Sequence, residues 1–180
     1  MSLFYLSIFS SLAYFHIAFG AKQFYDIRLV KIFDCSYPTD NISTRISVDV
    51  KYINKTSFVL NGDYSIVEKL DNNVVLHVSA DLKSKGEYKE KLFDNELGPL
   101  CDGMKKLSPS FFAQLLGNGD TEKMCPIHKG QYSVDSEPMT IELPNVKTLP
   151  FGAYRVKFEG HRGPCKVFCL AVFADVTKPR

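Results

Sequence analysis

The sequence predicts an all-β domain of antiparallel strands with one short helical insertion, and three observations carry that reading. Apolar and polar residues alternate with a period of two in several stretches, turn residues separate those stretches at short intervals, and no strand–helix–strand rhythm of a parallel sheet appears.

The alternation is clearest in TRISVDVKYI, where Ile46, Val48, Val50 and Tyr52 alternate with Arg45, Ser47, Asp49 and Lys51. In SFVLNGDYSIVEKL, Asn61-Gly62-Asp63 lies between two apolar runs and predicts a turn between strands. NNVVLHVSADL alternates again, with Val74, Leu76, Val78 and Ala80 on one side, and GEYKEKLF continues the meander. Further strands are expected in PMTIELPNV, GAYRVKFEG and KVFCLAVFADV, the last two joined as a hairpin by EGHRGPC. That makes seven or eight strands in all. The exception lies between Leu97 and Gly119. In LSPSFFAQLLGNG, Ser108 reads as an N-cap, Pro109 as the first helical residue and Gly117 as the stop. Phe112, Leu115 and Leu116 would share one stripe of that helix, with Phe111 at its border.

The first twenty residues, MSLFYLSIFSSLAYFHIAFG, contain no Asp, Glu, Lys or Arg. The small residues Ala18 and Gly20 fit a signal-peptidase site, so residues 1–20 read as a secretory signal and 21–180 as one domain. A membrane anchor is the competing reading of the same run. The chain carries 22 basic and 20 acidic side chains, too even a balance to hold a nucleic-acid backbone. Sequons at Asn41 (NIS) and Asn54 (NKT) fit an exported glycoprotein. Five cysteines in an oxidising compartment should mostly pair and leave one over. Cys165 and Cys169 fall in one strand roughly 13 Å apart, so they need different partners or none.

Few residues carry the pattern of catalysis. His77, Ser79 and Asp81 share the polar side of one strand, but side chains nearly 7 Å apart form no hydrogen-bonded relay, so a solvent-facing strand side is expected. His161, Cys165 and Cys169 do not converge on one ion and no fourth ligand is evident, so no metal or other cofactor is expected. Phosphate-binding glycine loops, zinc-protease helices and nucleophile elbows are not found. The sequence therefore reads as non-enzymatic. Its positive signal is apolar: Phe93, Phe111, Phe112, Phe151, Tyr154 and Phe158 fall at element ends and in loops. In a closed sandwich they fill the core; in one whose sheets splay apart they line a pocket.

From Cys125 to Val176 the sequence becomes more specific. Cys125-Pro126, a basic Gly130-x-Tyr132 turn, Glu142-Leu143-Pro144, Gly152-x-Tyr154-Arg155 and Cys169 in the last strand occur in order. This pattern resembles the lysosomal ganglioside activators, sphingolipid carriers of the ML-like lipid-recognition group, and is similar to insect secreted families that share Cys-Pro and Gly-x-Tyr-Arg. The resemblance implies an antiparallel β-sandwich opened into a cup for acyl chains. It implies disulfides Cys35–Cys169 and Cys101–Cys125, with Cys165 left free. The chain has no tryptophan and lacks those activators' further cysteines.

The function expected is thus a secreted, non-catalytic lipid-binding or lipid-transfer protein, extracellular or lysosomal, touching membranes transiently. Its cargo would be a glycolipid, phospholipid or fatty acid. Phe111, Phe112, Leu115, Leu116, Phe151, Tyr154 and Phe158 are the candidate lipid contacts. Two alternatives stay open: a filled sandwich whose outer face binds a protein partner, and a hydrolase or redox protein using Cys165.

Overall fold

The computed structural model describes residues 24–35, 44–116 and 119–179, and for residues 89–91 the backbone alone. The expected leader, Asn41 and Gly117 lie outside the described residues. Eight strands and two short helices follow in order: β1 (Asp26–Asp34), β2 (Thr44–Tyr52), β3 (Phe58–Ile66), β4 (Val75–Ser84), β5 (Glu87–Pro99), α1 (Leu100–Leu107), α2 (Pro109–Leu116), β6 (Gly130–Asp135), β7 (Gly152–Arg162) and β8 (Cys165–Thr177). They form two antiparallel sheets, one of five strands in the order β1-β8-β7-β4-β5 and one of three in the order β2-β3-β6. The fold is an all-β sandwich, as the alternation predicts.

Three strand assignments differ from those read in the sequence. Asn61-Gly62-Asp63 is no turn but the middle of β3, where Gly62 pairs with Val48 on one side and Val134 on the other. Gly62 has φ +152°, and a Cβ there would collide with the Ser47 carbonyl, so the glycine marks a close backbone approach rather than a reversal. The chain turns instead at Ile53–Ser57, where the Asn54 side-chain oxygen accepts the N–H groups of Thr56 and Ser57 at 3.0 and 2.8 Å. PMTIELPNV forms no strand beyond an isolated bridge between Met139 and Phe58. Pro138 and Pro144 remove two backbone donors from this segment. The Gly130-x-Tyr132 turn is the opening of β6.

The helical insertion is two helices, not one. Gly103 lowers the helical signal of LCDGMKKL but permits its packing: a Cβ there would lie 3.0 Å from the Leu76 side chain. The start of α1 is held from outside, since the Leu100 N–H donates to the Val74 carbonyl and the Cys101 N–H to Asn72 Oδ1 at 3.0 Å. Ser108 ends α1 and begins α2, its N–H bonded to the Met104 carbonyl and its carbonyl accepting the Phe112 N–H. Its hydroxyl is buried without a partner, so the expected side-chain cap is not made. The disulfide Cys101–Cys125 ties α1 to the chain ahead of β6, and Cys35–Cys169 joins the end of β1 to β8. Cys165 is free and exposed.

Candidate functional site

The inner faces of the two sheets and the buried sides of both helices meet in one large apolar cluster. The five-stranded sheet supplies Leu76, Phe158, Phe168 and Leu170; the smaller sheet supplies Val48, Leu60, Tyr64 and Ile66. This is the pleat's period of two read out in space: the residues that alternate in sequence share one face.

Within the cluster lies a void of about 40 Å³. Its wall draws on every layer: Thr44, Ile46 and Ile66 from the smaller sheet, Phe158 and Phe168 from the larger, and Phe112, Leu115 and Leu116 from α2. Leu70 and Ile127 also line it, and their backbones exchange two hydrogen bonds of 2.9 Å. Among the described residues no charged side chain lines it. Ile46 and Leu116 are only half-buried and mark where the wall approaches solvent.

Two of the lining residues, Tyr64 and Thr44, are polar, but the surface the void presents is wholly apolar. Tyr64 stacks its ring on Tyr132, with centroids 4.8 Å apart, and its hydroxyl donates to the Leu116 carbonyl at 3.4 Å. Burial, aided by the neighbouring Tyr132, pushes the Tyr64 phenol up to about 12. Thr44 is 2% exposed, and its hydroxyl has no hydrogen-bond partner.

The expected lipid contacts separate into three places. Phe112, Leu115, Leu116 and Phe158 line the void. Phe111 is buried with its ring against Phe112 but does not line it. Tyr154 sits in a second, smaller cluster with Tyr25 and Val176, against Val146 and Leu149. Phe151 is 57% exposed, immediately before β7, and touches neither cluster's interior. Phe93, also among the aromatic residues singled out, is exposed on β5. Sequence reasoning missed Thr44, Tyr64, Phe168 and Leu170. Thr44 lies on a strand read from its alternation, Tyr64 in a stretch read as a turn, and Phe168 and Leu170 in a continuous apolar run; none carries a signal that distinguishes a lining residue from plain core.

The Gly-x-Tyr-Arg element has a structural account at each position. Gly152 has φ +148°, and a Cβ there would meet Leu82 at 2.7 Å. The Tyr154 hydroxyl donates to the Pro150 carbonyl at 2.8 Å. Arg155 donates from Nε and Nη2 to Asp81 Oδ2 at 2.8 and 2.6 Å and lies over the Tyr88 ring. Asp81 shares the outer side of β4 with His77 and Ser79, but it does not face solvent as expected: it is 3% exposed and ion-paired. His77 stays part-exposed beside Asp94, 3.4 Å away, and among the described residues no group of His, Cys, Asp or Glu is placed to hold a metal ion.

Asn54 is exposed in the β2–β3 turn. No helix among the described residues is long and apolar enough to cross a membrane.

Fold and site together define a β-sandwich with an apolar void between its layers. No family model and no curated protein matches the chain. Among solved structures, the chain is similar to chicken MD-1 complexed with lipid IVa, at 16% identity, over 88% of this chain and 94% of that one, with a TM-score of 0.35.

Proposed function

We propose that the protein is an exported, non-catalytic lipid binder and carrier that takes an apolar chain between its two sheets. The observation that supports this most is the void's wall, which is built from both sheets and α2 and, among the described residues, contains no charged side chain. Ligand pockets usually enclose roughly 300–1,000 Å³, so the void of about 40 Å³ corresponds to a closed form. Entry of a chain requires Phe112, Leu115 and Leu116 to move outward with α2. That helix has eight residues, and the Tyr64 hydrogen bond to its last carbonyl is long at 3.4 Å.

Physics favours a carrier over a trap. A lipid in a bilayer already has its chains out of water, and each methylene is worth about 0.8 kcal/mol only against water. A dry site therefore exchanges lipid with a membrane at little net cost, and selectivity must come from polar contacts. Export is supported by the charge-free leader, the exposed sequon at Asn54 and the two disulfides, which persist in oxidising compartments. Extracellular and lysosomal destinations both suit these features.

The small size of the void favours a second reading, a filled sandwich whose outer face binds a protein partner. Native mass spectrometry of the chain secreted from eukaryotic cells separates the two. Adducts of lipid mass that vanish on organic extraction are expected. A bare mass that stays bare after incubation with mixed lipid vesicles would reject the carrier and leave the interaction module.

A further inference from the structure

Two exposed aromatic rings stand at one end of the sandwich, where β1 and β7 begin and β8 finishes. Asp26 there pairs with Thr177 and Gly152 with Val176, and Phe24 and Phe151 lie just beyond those pairs, 64% and 57% exposed. Only β8 runs between β1 and β7, so at about 4.8 Å per strand spacing the two backbones are roughly 10 Å apart. The β4–β5 hairpin reaches the same end, since Leu82 pairs with Tyr154 near the start of β7. Around the rings, the ends of these strands, the hairpin and residues 146–151 present Arg28, Lys83, Lys85, Lys147 and Lys178 as exposed bases. Among these described residues the exposed acid is Glu87, while Asp26 and Asp175 are half-buried. In a chain of 22 basic and 20 acidic side chains this is a local excess of positive charge. No ion pair among the described residues engages Lys85, Lys147 or Lys178.

We infer that this end is a docking surface for an anionic lipid bilayer, with Phe24 and Phe151 entering the headgroup region and the lysines facing the lipid charges. Exposed apolar surface rimmed by polar groups marks an interaction site, and aromatic rings beside lysines match the layers of a membrane interface, apolar within and anionic outside. Lysine stems lie along apolar surface while their ammonium groups stay in water. A soluble polyanion would use the charges and leave both rings wet. The surface is distinct from the void, whose wall takes in Thr44, Ile66 and Leu76 from the opposite ends of β2, β3 and β4. Docking there extends the carrier reading without depending on it. A glycan on Asn54 would stand at the β1 margin, where the Tyr52 hydroxyl reaches the Leu29 carbonyl, whereas Phe151 lies beyond β8.

The test is cosedimentation of the secreted full-length chain with vesicles of phosphatidylcholine alone, or of phosphatidylcholine and phosphatidylserine in equal parts. The chain should bind the mixed vesicles, lose that binding in high salt, and bind phosphatidylcholine alone about tenfold more weakly or worse. Lys147→Gln with Lys178→Gln should weaken binding about thirtyfold, and Phe24→Ser with Phe151→Ser about tenfold or more. The chain has no tryptophan, so Phe151→Trp reports from one place. Its emission should shift to the blue on mixed vesicles, and that of Val67→Trp, a position 57% exposed at the opposite end, should not.

Equal binding to the two kinds of vesicle, full affinity in the lysine pair variant, or an unshifted emission from Phe151→Trp would each overturn the assignment. A phenylalanine pair variant that binds like the wild type would show attraction by charge alone, which fits a soluble polyanion and not a bilayer. Every substituted side chain is exposed, so melting temperatures should not change, and the tryptophan readout needs no loss of binding. Native mass spectrometry of both pair variants should still find the lipid adducts of the wild type. Docking without adducts in any of the chains would remove the carrier reading and leave this surface standing.

Discussion

The two apolar clusters of this sandwich are closed in different ways. In the smaller one, Tyr25 and Tyr154 bury their rings and donate their hydroxyls to the Val146 and Pro150 carbonyls, both at 2.8 Å. Those acceptors belong to the proline-rich chain between β6 and β7, so the bonds fasten the covering segment to the large sheet. In the larger cluster the buried hydroxyls of Thr44 and Ser108 are unpaired, and a void remains between the layers. One region is finished by its own hydrogen bonds; the other stops short. Buried donors left unsatisfied cost free energy, which a purely structural core has no cause to retain.

The largest expected effect comes from the two disulfides. Cys35–Cys169 spans 134 residues and Cys101–Cys125 spans 24. In the chain-entropy model these stabilise by about 5 and about 3.5 kcal/mol respectively. Urea unfolding of Cys35→Ser/Cys169→Ser should therefore show the greater loss, and the reverse order would show that native-state strain outweighs chain entropy.

Phe112→Ala comes next. The ring packs on Phe111 and Phe158 and forms part of the void's wall, so its removal should cost about 3–5 kcal/mol. It should also enlarge the void enough to admit benzene, seen as a ligand-dependent rise in melting temperature. Tyr154→Phe, at the finished end, should cost only about 1 kcal/mol, with no benzene-dependent shift. Equal benzene response in the two variants would erase the distinction between the regions. On the outer face of the large sheet, Arg155→Ala leaves the Asp81 carboxylate buried without its guanidinium and should cost about 3–5 kcal/mol in the same unfolding assay. A loss below about 1 kcal/mol would mean that Asp81's other contacts suffice.

Much of this architecture is visible in the sequence where one signal dominates. β2 and β4 follow directly from alternation, the β7–β8 hairpin from two apolar runs joined by EGHRGPC, and α2 from Pro109 and its apolar stripe. Legibility fails where a residue serves two demands at once. Gly62 and Asn61 have turn chemistry, yet Gly62 is there because the Ser47 carbonyl approaches too closely for a side chain. Gly103 looks like a helix breaker, yet its missing Cβ lets α1 lie on Leu76. Asp81 has the polarity of a solvent face, but Arg155 arrives from a strand 74 positions away in sequence and buries it. The candidate site was half legible for a related reason. Phe112, Leu115, Leu116 and Phe158 were singled out by apolarity, whereas Thr44 is one hydroxyl in an alternating strand. That it borders the void is set by the packing of the two sheets and has no signal of its own in the sequence.

The smallest expected effect bears on the rim of the void. Burial raises the Tyr64 phenol from its ordinary value near 10 to about 12, so the folded state holds this proton more tightly than the unfolded chain. The resulting stabilisation is fully present below about pH 10 and is lost as pH rises toward 12. Burial raises Tyr25 and Tyr154 in the same direction, so both regions weaken in alkali. They differ in what the lost proton releases. Ionising Tyr64 removes the donor that reaches the Leu116 carbonyl at the end of α2, whereas ionising Tyr154 releases the Pro150 carbonyl at the other end. Tyr64→Phe should thus cost less than about 1 kcal/mol at neutral pH, since the bond is long, and flatten the stability profile above pH 10. It should also speed hydrogen exchange in α2, a change that Tyr154→Phe should not produce. If the helix exchanges at the same rate in both variants, the Tyr64 hydroxyl is not what holds the wall closed, and the closed form is kept by the packing of Phe112, Leu115 and Leu116 alone.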